Sequence, residues 1–201
     1  MSEASARPPR LINIANVLTA VRLAMVPVFA AALFAEHGTS IAWRLAAFGL
    51  FVLASITDRL DGELARRRGL VTSFGTVADP IADKALVGTA LVGLSMLGLV
   101  PWWITVTIMV REIGITVLRF SVLRHGVIPA SRGGKAKTLA QTVAISLYLL
   151  PLTAFAGAAE VVDAVRWAVL LVAVVLTVAT GLDYLVQAAR LRAAARLPDP
   201  P

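Results

Sequence analysis

Six long apolar stretches constrain this chain more than any other feature. They cover roughly 17–35, 43–57, 81–100, 102–123, 139–156 and 165–187. A helix crossing a bilayer needs about 20 apolar residues. Inside the hydrocarbon only structures that satisfy their own backbone hydrogen bonds are viable. With 58% hydrophobic and 15% charged residues in 201, the chain is too apolar for an ordinary soluble domain. The reading is an all-α integral membrane bundle of six transmembrane helices. A short interfacial helix over 10–16 is expected ahead of the first span. Residues 1–9 read as a disordered N-terminus, 10–190 as one membrane domain and 191–201 as a cytoplasmic tail. The second stretch is short unless it continues as a helix past Asp58.

The net charge of +7 is unevenly placed. Arg7 and Arg10 precede the first stretch. Arg59, Arg66, Arg67 and Arg68 follow the second, and Arg119, Arg124, Arg132, Lys135 and Lys137 lie around the link between the fourth and fifth. Arg190, Arg192 and Arg196 follow the sixth. The alternate connections hold only Arg44 and Arg166. By the positive-inside rule both termini and the loop after the second stretch are cytoplasmic. A multi-pass protein of the plasma membrane is expected, its basic side attracting anionic lipids and phosphorylated substrates. There is no basic extramembrane domain to bind nucleic acid. With no cysteine, thiol chemistry and Cys-ligated zinc are excluded. His37 and His125 fall on opposite sides and cannot share a metal.

Against this apolar background four aspartates stand out: Asp58-x-x-Asp61-Gly62-x-x-Ala65-Arg66, eight residues, then Gly75-x-x-x-Asp79-x-x-x-Asp83. A charge at the bilayer centre costs about 2.5–3.5 kcal/mol even on lenient insertion scales. In a helix Asp58, Asp61, Gly62 and Ala65 share one face, and Gly75, Asp79 and Asp83 share another. An antiparallel helix pair can bring those faces together around hard divalent cations, Mg2+ or Mn2+, which favour carboxylate and phosphate oxygens. Gly62 and Ala65 leave room between the helices, and Arg66 can reach a phosphate. Pro80 must sit in the first turn of its helix or kink it. Acids paired with arginines or solvated at helix ends are the alternative. A magnesium channel would want acids at several depths, and intramembrane prenyltransferases need more helices and a different aspartate spacing.

The run from Asp58 to Asp83 is similar, position for position, to the signature D-x2-D-G-x2-A-R-x8-G-x3-D-x3-D of the CDP-alcohol phosphatidyltransferase family. The resemblance implies transfer of a phosphatidyl group from CDP-diacylglycerol to an alcohol, with release of CMP. It implies two divalent metal ions on Asp58, Asp61, Asp79 and Asp83, with Asp83 also the base for the attacking hydroxyl. Gly62, Ala65, Arg66 and Gly75 would line the CDP-diacylglycerol site, and the protein would be a homodimer.

Further stretches resemble the phosphatidylglycerophosphate-forming branch of that family, whose acceptor is glycerol 3-phosphate. They are Asn13-Ile14-Ala15-Asn16-x-Leu18-Thr19-x-x-Arg22, with Ala15 where Pro is usual, Asp79-Pro80-x-Ala82-Asp83-Lys84, Arg111-Glu112, and Ser131-x-x-Gly134-Lys135-x-Lys137-Thr138-x-x-Gln141. Sister branches, which use inositol phosphate or phosphatidylglycerol as acceptor, share parts of these. Arg111, Arg119, Lys135 and Lys137 are the candidate cations for an acceptor phosphate. Arg111 is equally well read as half of a structural ion pair, with Glu112 a poor partner because adjacent residues diverge on a helix. Asn16, Thr19 and Arg22 either contact the donor headgroup or form a capped helix start with a snorkelling arginine. Arg166 reads as a topology charge, and Asp183 is expected to pair with a neighbouring Arg.

Overall fold

The computed structural model describes residues 14–68, 73–122, 132–152 and 159–194, and the side chains of 17–58, 81–118, 133–152 and 159–191. Six α-helices follow one another: α1 Ile14–Phe34, α2 Ile41–Arg68, α3 Ser73–Met96, α4 Trp102–Val122, α5 Arg132–Leu149 and α6 Ala159–Ala194. The chain is an all-α membrane protein, as its apolar pattern implies. Val17–Gly38, Ile41–Asp58 and Ala159–Leu191 are long and apolar enough to cross a membrane by composition alone. Helices α3, α4 and α5 carry charged residues that break such a window, among them Asp83, Arg111, Glu112 and Lys137. Large apolar side chains such as Val28, Leu53, Val110, Val117, Val175 and Leu182 lie 55–65% exposed. Water would not tolerate so broad an apolar surface, whereas lipid requires it.

The chain forms two compact units, residues 1–93 and 94–201. In the first, α1 packs on α2. Phe29 and Leu33 on α1 and Ala47, Phe51 and Ala54 on α2 are fully buried. The rings of Phe29 and Phe51 sit 6.0 Å apart, tilted at 43°, in the range where aromatic pairs attract. Near the far end of α3, a Cβ on Gly93 would fall 2.5 Å from Leu33 Cδ2. The glycine is what lets α3 approach α1 at that point.

The reversal between α1 and α2 is a single 3-10 turn, Ala35–Gly38. Glu36, His37 and Gly38 all take positive φ. Thr39 stabilises the turn, its Oγ1 donating to Glu36 O at 2.7 Å. Helix α2 then runs unbroken for 28 residues, about 42 Å at 1.5 Å per residue. It therefore does continue past Asp58, beyond a hydrocarbon core of about 30 Å.

In the second unit α6 packs on both α4 and α5. Ile104 and Ile108 of α4, Ile145 and Leu149 of α5, and Leu170 and Ala173 of α6 form its interior. Helix α3 ends in a left-handed glycine cap. Gly98 has φ +71°, its N–H donates to Ser95 O, and Leu99 N–H donates to Leu94 O. That pair of bonds closes the carbonyls a helix end leaves open, and Pro101 then prevents continuation. Trp102 and Trp103, half exposed at the start of α4, suit the membrane interface.

Arg166 is more than a topology charge. It is 6% exposed, and its Nε and Nη2 donate to Leu147 O at 3.0 Å and Leu150 O at 2.6 Å. It thus satisfies carbonyls at the C-terminal end of α5, where a cation also suits the helix dipole. The guanidinium lies 5.7 Å from the centre of the Tyr148 ring, and Nη1 reaches Asp163 at 3.1 Å.

Several helix bounds differ from the apolar stretches, and α3 begins at Ser73 rather than near 81. Helix α5 spans Arg132–Leu149 and so begins seven residues ahead of the apolar stretch expected from 139. Helix α6 runs 36 residues to Ala194, so the expected tail is still helical at its beginning. The expected disordered segment 1–9 and most of the expected interfacial helix lie outside the described residues.

Candidate active site

The acid-bearing segments are helical throughout their described length, so the spacings translate into real faces. Asp58, Asp61, Gly62, Ala65 and Arg66 ride on the last three turns of α2. Gly75, Asp79 and Asp83 follow one another by single turns along α3. Because α3 starts at Ser73, Pro80 is not in its first turn, which removes one of its two expected placements. The side chains of Asp61, Ala65, Arg66 and Asp79 lie outside the described set. Asp83 is half-buried.

Asp58 is the acid whose surroundings are clearest. Its Oδ1 accepts a hydrogen bond from Arg22 Nη1 of α1 at 2.5 Å. The Arg22 side chain is 1% exposed and that of Asp58 34%. Arg22 therefore does not snorkel. The long side chain stays in the α1–α2 contact because an ionised partner meets it there. Thr19, one turn earlier, is buried on the same side. A charge-assisted bond of this kind holds the carboxylate in one orientation.

Four aspartates offer hard, anionic oxygen donors, the chemistry that Mg2+ and Mn2+ select. Four carboxylates within 26 residues form a donor set whose chemistry fits such an ion. Among the described residues no three acids or histidines cluster; the side chains of Asp61 and Asp79 are not among them.

A second polar cluster occupies the second unit. Arg111 of α4 reaches across to α6: Nε donates to Thr177 O at 3.0 Å and Nη2 to Thr180 Oγ1 at 2.9 Å. Its Nη1 donates to Glu112 Oε1 at 3.2 Å. Glu112 is thus a partner of Arg111, against the expectation from adjacency. Both side chains are long enough to curl back toward each other once α6 fixes the guanidinium. The same Glu112 Oε1 accepts from Lys137 Nζ of α5.

Gly181 makes this possible. A Cβ there would lie 3.1 Å from Arg111 Cγ and 3.2 Å from Nε. Gln141 of α5 donates to Thr177 Oγ1 at 2.8 Å, closing a network over three helices. Of the four acceptor-phosphate candidates, Arg111 and Lys137 come together through Glu112. Lys135 is exposed, and the Arg119 side chain lies outside the described residues. Thr177, Thr180 and Gly181 carry no sequence signal beyond being small residues in an apolar helix. On α6, Asp183 accepts from Gln187 at 2.8 Å, so its partner among the described residues is not an arginine.

The CDP-alcohol phosphatidyltransferase profile matches residues 12–179. A probable phosphatidylglycerophosphate synthase of Mycobacterium tuberculosis is 55% identical over 181 residues, 90% of this chain and 84% of that protein. A CDP-diacylglycerol–glycerol-3-phosphate 3-phosphatidyltransferase of Bacillus subtilis is 37% identical, covering 87% and 94%. A cardiolipin synthase (CMP-forming) of Streptomyces coelicolor is 35% identical over 155 residues, 75% and 71%. The aspartate signature, its placement on the helices α2 and α3 and a profile match through most of the chain agree: this protein belongs to the CDP-alcohol phosphatidyltransferase family.

Proposed function

We propose that the protein transfers the phosphatidyl group of CDP-diacylglycerol to glycerol 3-phosphate, forming phosphatidylglycerophosphate and CMP. The observation that carries this reading is the complete set of eight signature positions on α2 and α3. The acceptor follows the names of the relatives that match at 55% and 37% identity. An acceptor hydroxyl oxygen attacks the phosphorus that bears the diacylglycerol. The bond from that phosphorus to the CMP oxygen breaks, and its electron pair leaves with CMP. The hydroxyl proton passes to the carboxylate of Asp83, the proposed base.

Two divalent ions, Mg2+ or Mn2+, on Asp58, Asp61, Asp79 and Asp83 would offset the donor diphosphate's charge and that developing on CMP. Gly62, Ala65 and Gly75 leave space for CDP, and Arg66 offers a planar donor to its phosphates. Lys137, Lys135 and Arg119 are the proposed cations for the acceptor phosphate. Arg111, with three donors already directed to Thr177, Thr180 and Glu112, supports that region as a structural post.

The charge pattern favours cytoplasmic termini and a cytoplasmic active site in the plasma membrane, where the soluble acceptor and CMP are found. A homodimer and a single membrane domain over 10–190 complete the reading. The test is CMP release by purified protein from CDP-diacylglycerol with Mg2+ or Mn2+, comparing glycerol 3-phosphate, inositol phosphate and phosphatidylglycerol. Release with glycerol 3-phosphate is expected. No release with any acceptor refutes the transferase reading, and release with another acceptor alone reassigns the substrate.

A further inference from the structure

We propose that Arg22 is a positioning residue for the acid cluster: it fixes Asp58 and supplies counter-charge to the metal-free site, coupling it to divalent-metal binding. The inference rests on the proposed metal role of the aspartates. Arg22 is 1% exposed, and its guanidinium meets Asp58 Oδ1 at 2.5 Å across the α1–α2 contact. Burying a guanidinium is unfavourable, and an apolar side chain of similar volume is often neutral or stabilising in its place. Packing alone thus gives no reason for an arginine here. The acid gives one: Asp58 opens a run of four aspartates within 26 residues, and the proposed metal site draws these carboxylates together, where they repel one another when no cation is present. The guanidinium takes one carboxylate oxygen and limits rotation of the group. Arg22 and a metal ion therefore both offset the same charge, and removing one makes the protein lean harder on the other.

The test is thermal unfolding of the full-length protein in detergent, with chelator and with saturating Mn2+ or Mg2+, for wild type, Arg22→Met and Arg166→Met. A ligand that binds only the folded state raises Tm by an amount set by its affinity. Arg22→Met is expected to lower the metal-free Tm by about 5–10 °C, from loss of a partly buried pair. The metal-induced rise in that variant is expected to exceed the wild-type rise, recovering about half the loss. Arg166→Met, which breaks a buried arginine's bonds far from the aspartates in sequence, is expected to lower Tm with the wild-type metal response.

A metal-induced rise in Arg22→Met that is equal to or smaller than the wild-type rise overturns the inference that Arg22 and the metal share one charge. No rise in wild type overturns the metal reading itself, and the inference with it. If Arg22→Met does not fold under either condition, Arg22→Gln decides. It keeps a hydrogen-bond donor for Asp58 and removes the charge, so a larger metal response than wild type supports the coupling and an equal or smaller one refutes it.

Discussion

Replacing Glu112 by glutamine keeps the shape of the side chain and removes its charge, which isolates the electrostatic role of the α4–α5–α6 cluster. In the native protein Glu112 Oε1 receives both Arg111 and Lys137. The three side chains are 14%, 15% and 8% exposed for Arg111, Glu112 and Lys137. With a neutral amide in place of the carboxylate, two cations remain in a nearly dry site with no counter-charge from α4. Removing one partner of a buried pair costs about 3–5 kcal/mol. Arg111 keeps its bonds to Thr177 and Thr180, which places the expected loss near the lower end, about 3 kcal/mol. For a chain of this length that is a fall in Tm of about 6–12 °C. The four tryptophans give an intrinsic fluorescence signal for the melt in detergent. A second variant, Lys137→Met, completes a cycle. The double variant leaves a single cation held by α6, so it is expected to be more stable than the sum of the singles by about 1–3 kcal/mol. A Tm for Glu112→Gln within about 2 °C of wild type, a shift worth under about 1 kcal/mol, or strict additivity in the cycle, refutes the argument that Glu112 neutralises both cations.

Asp83→Asn is expected to abolish CMP release while the protein stays folded; full turnover removes Asp83 as the base. Arg166→Met strips Leu147 O and Leu150 O of their donors and is expected to cost about 2–4 kcal/mol, read as a fall in Tm. Gly181→Ala sets a methyl 3.1 Å from Arg111 Cγ, a clash relieved by shifting the arginine stem. A loss of about 1–3 kcal/mol is expected, and it should shrink in an Arg111→Met background; an unchanged penalty there shows that Arg111 is not what the glycine accommodates.

The helix count and the helical spacing of the acid-bearing segments are readable in the sequence because each follows from local pattern, whereas the continuation of α2 past Asp58 is only a condition there. A run of apolar residues and an i, i+3, i+4 pattern keep their meaning whatever packs against them. The fate of the cations is not readable, because it depends on which helix arrives opposite. In the sequence Arg22 resembles an interfacial charge near the start of an apolar stretch, and only the α1–α2 contact shows its carboxylate partner. Arg166 resembles an outer-loop charge, yet the end of α5 is what captures it. Adjacency argues against Arg111 and Glu112 pairing. That argument treats side chains as rods projecting from the axis, and it fails once α6 turns the guanidinium sideways through Thr177 and Thr180.

Arg22, Arg111 and Arg166 are all largely buried, and their partners separate structural charge from charge tied to chemistry. Arg166 takes main-chain carbonyls at a helix end, a need that any such helix has and that involves no signature residue. Arg111 takes a carbonyl, a hydroxyl and a glutamate, and Gly181 has no side chain where its stem passes; that is the arrangement of a post joining α4 to α6. Arg22 instead takes an aspartate that the signature already requires for another purpose. A side chain wanted only for packing has no reason to seek an anion that a divalent ion would also seek. A side chain that must keep such an anion in place between metal-bound states does. The partner atom, more than the depth of burial, is therefore what links a buried arginine to the reaction, and among these three that criterion selects Arg22.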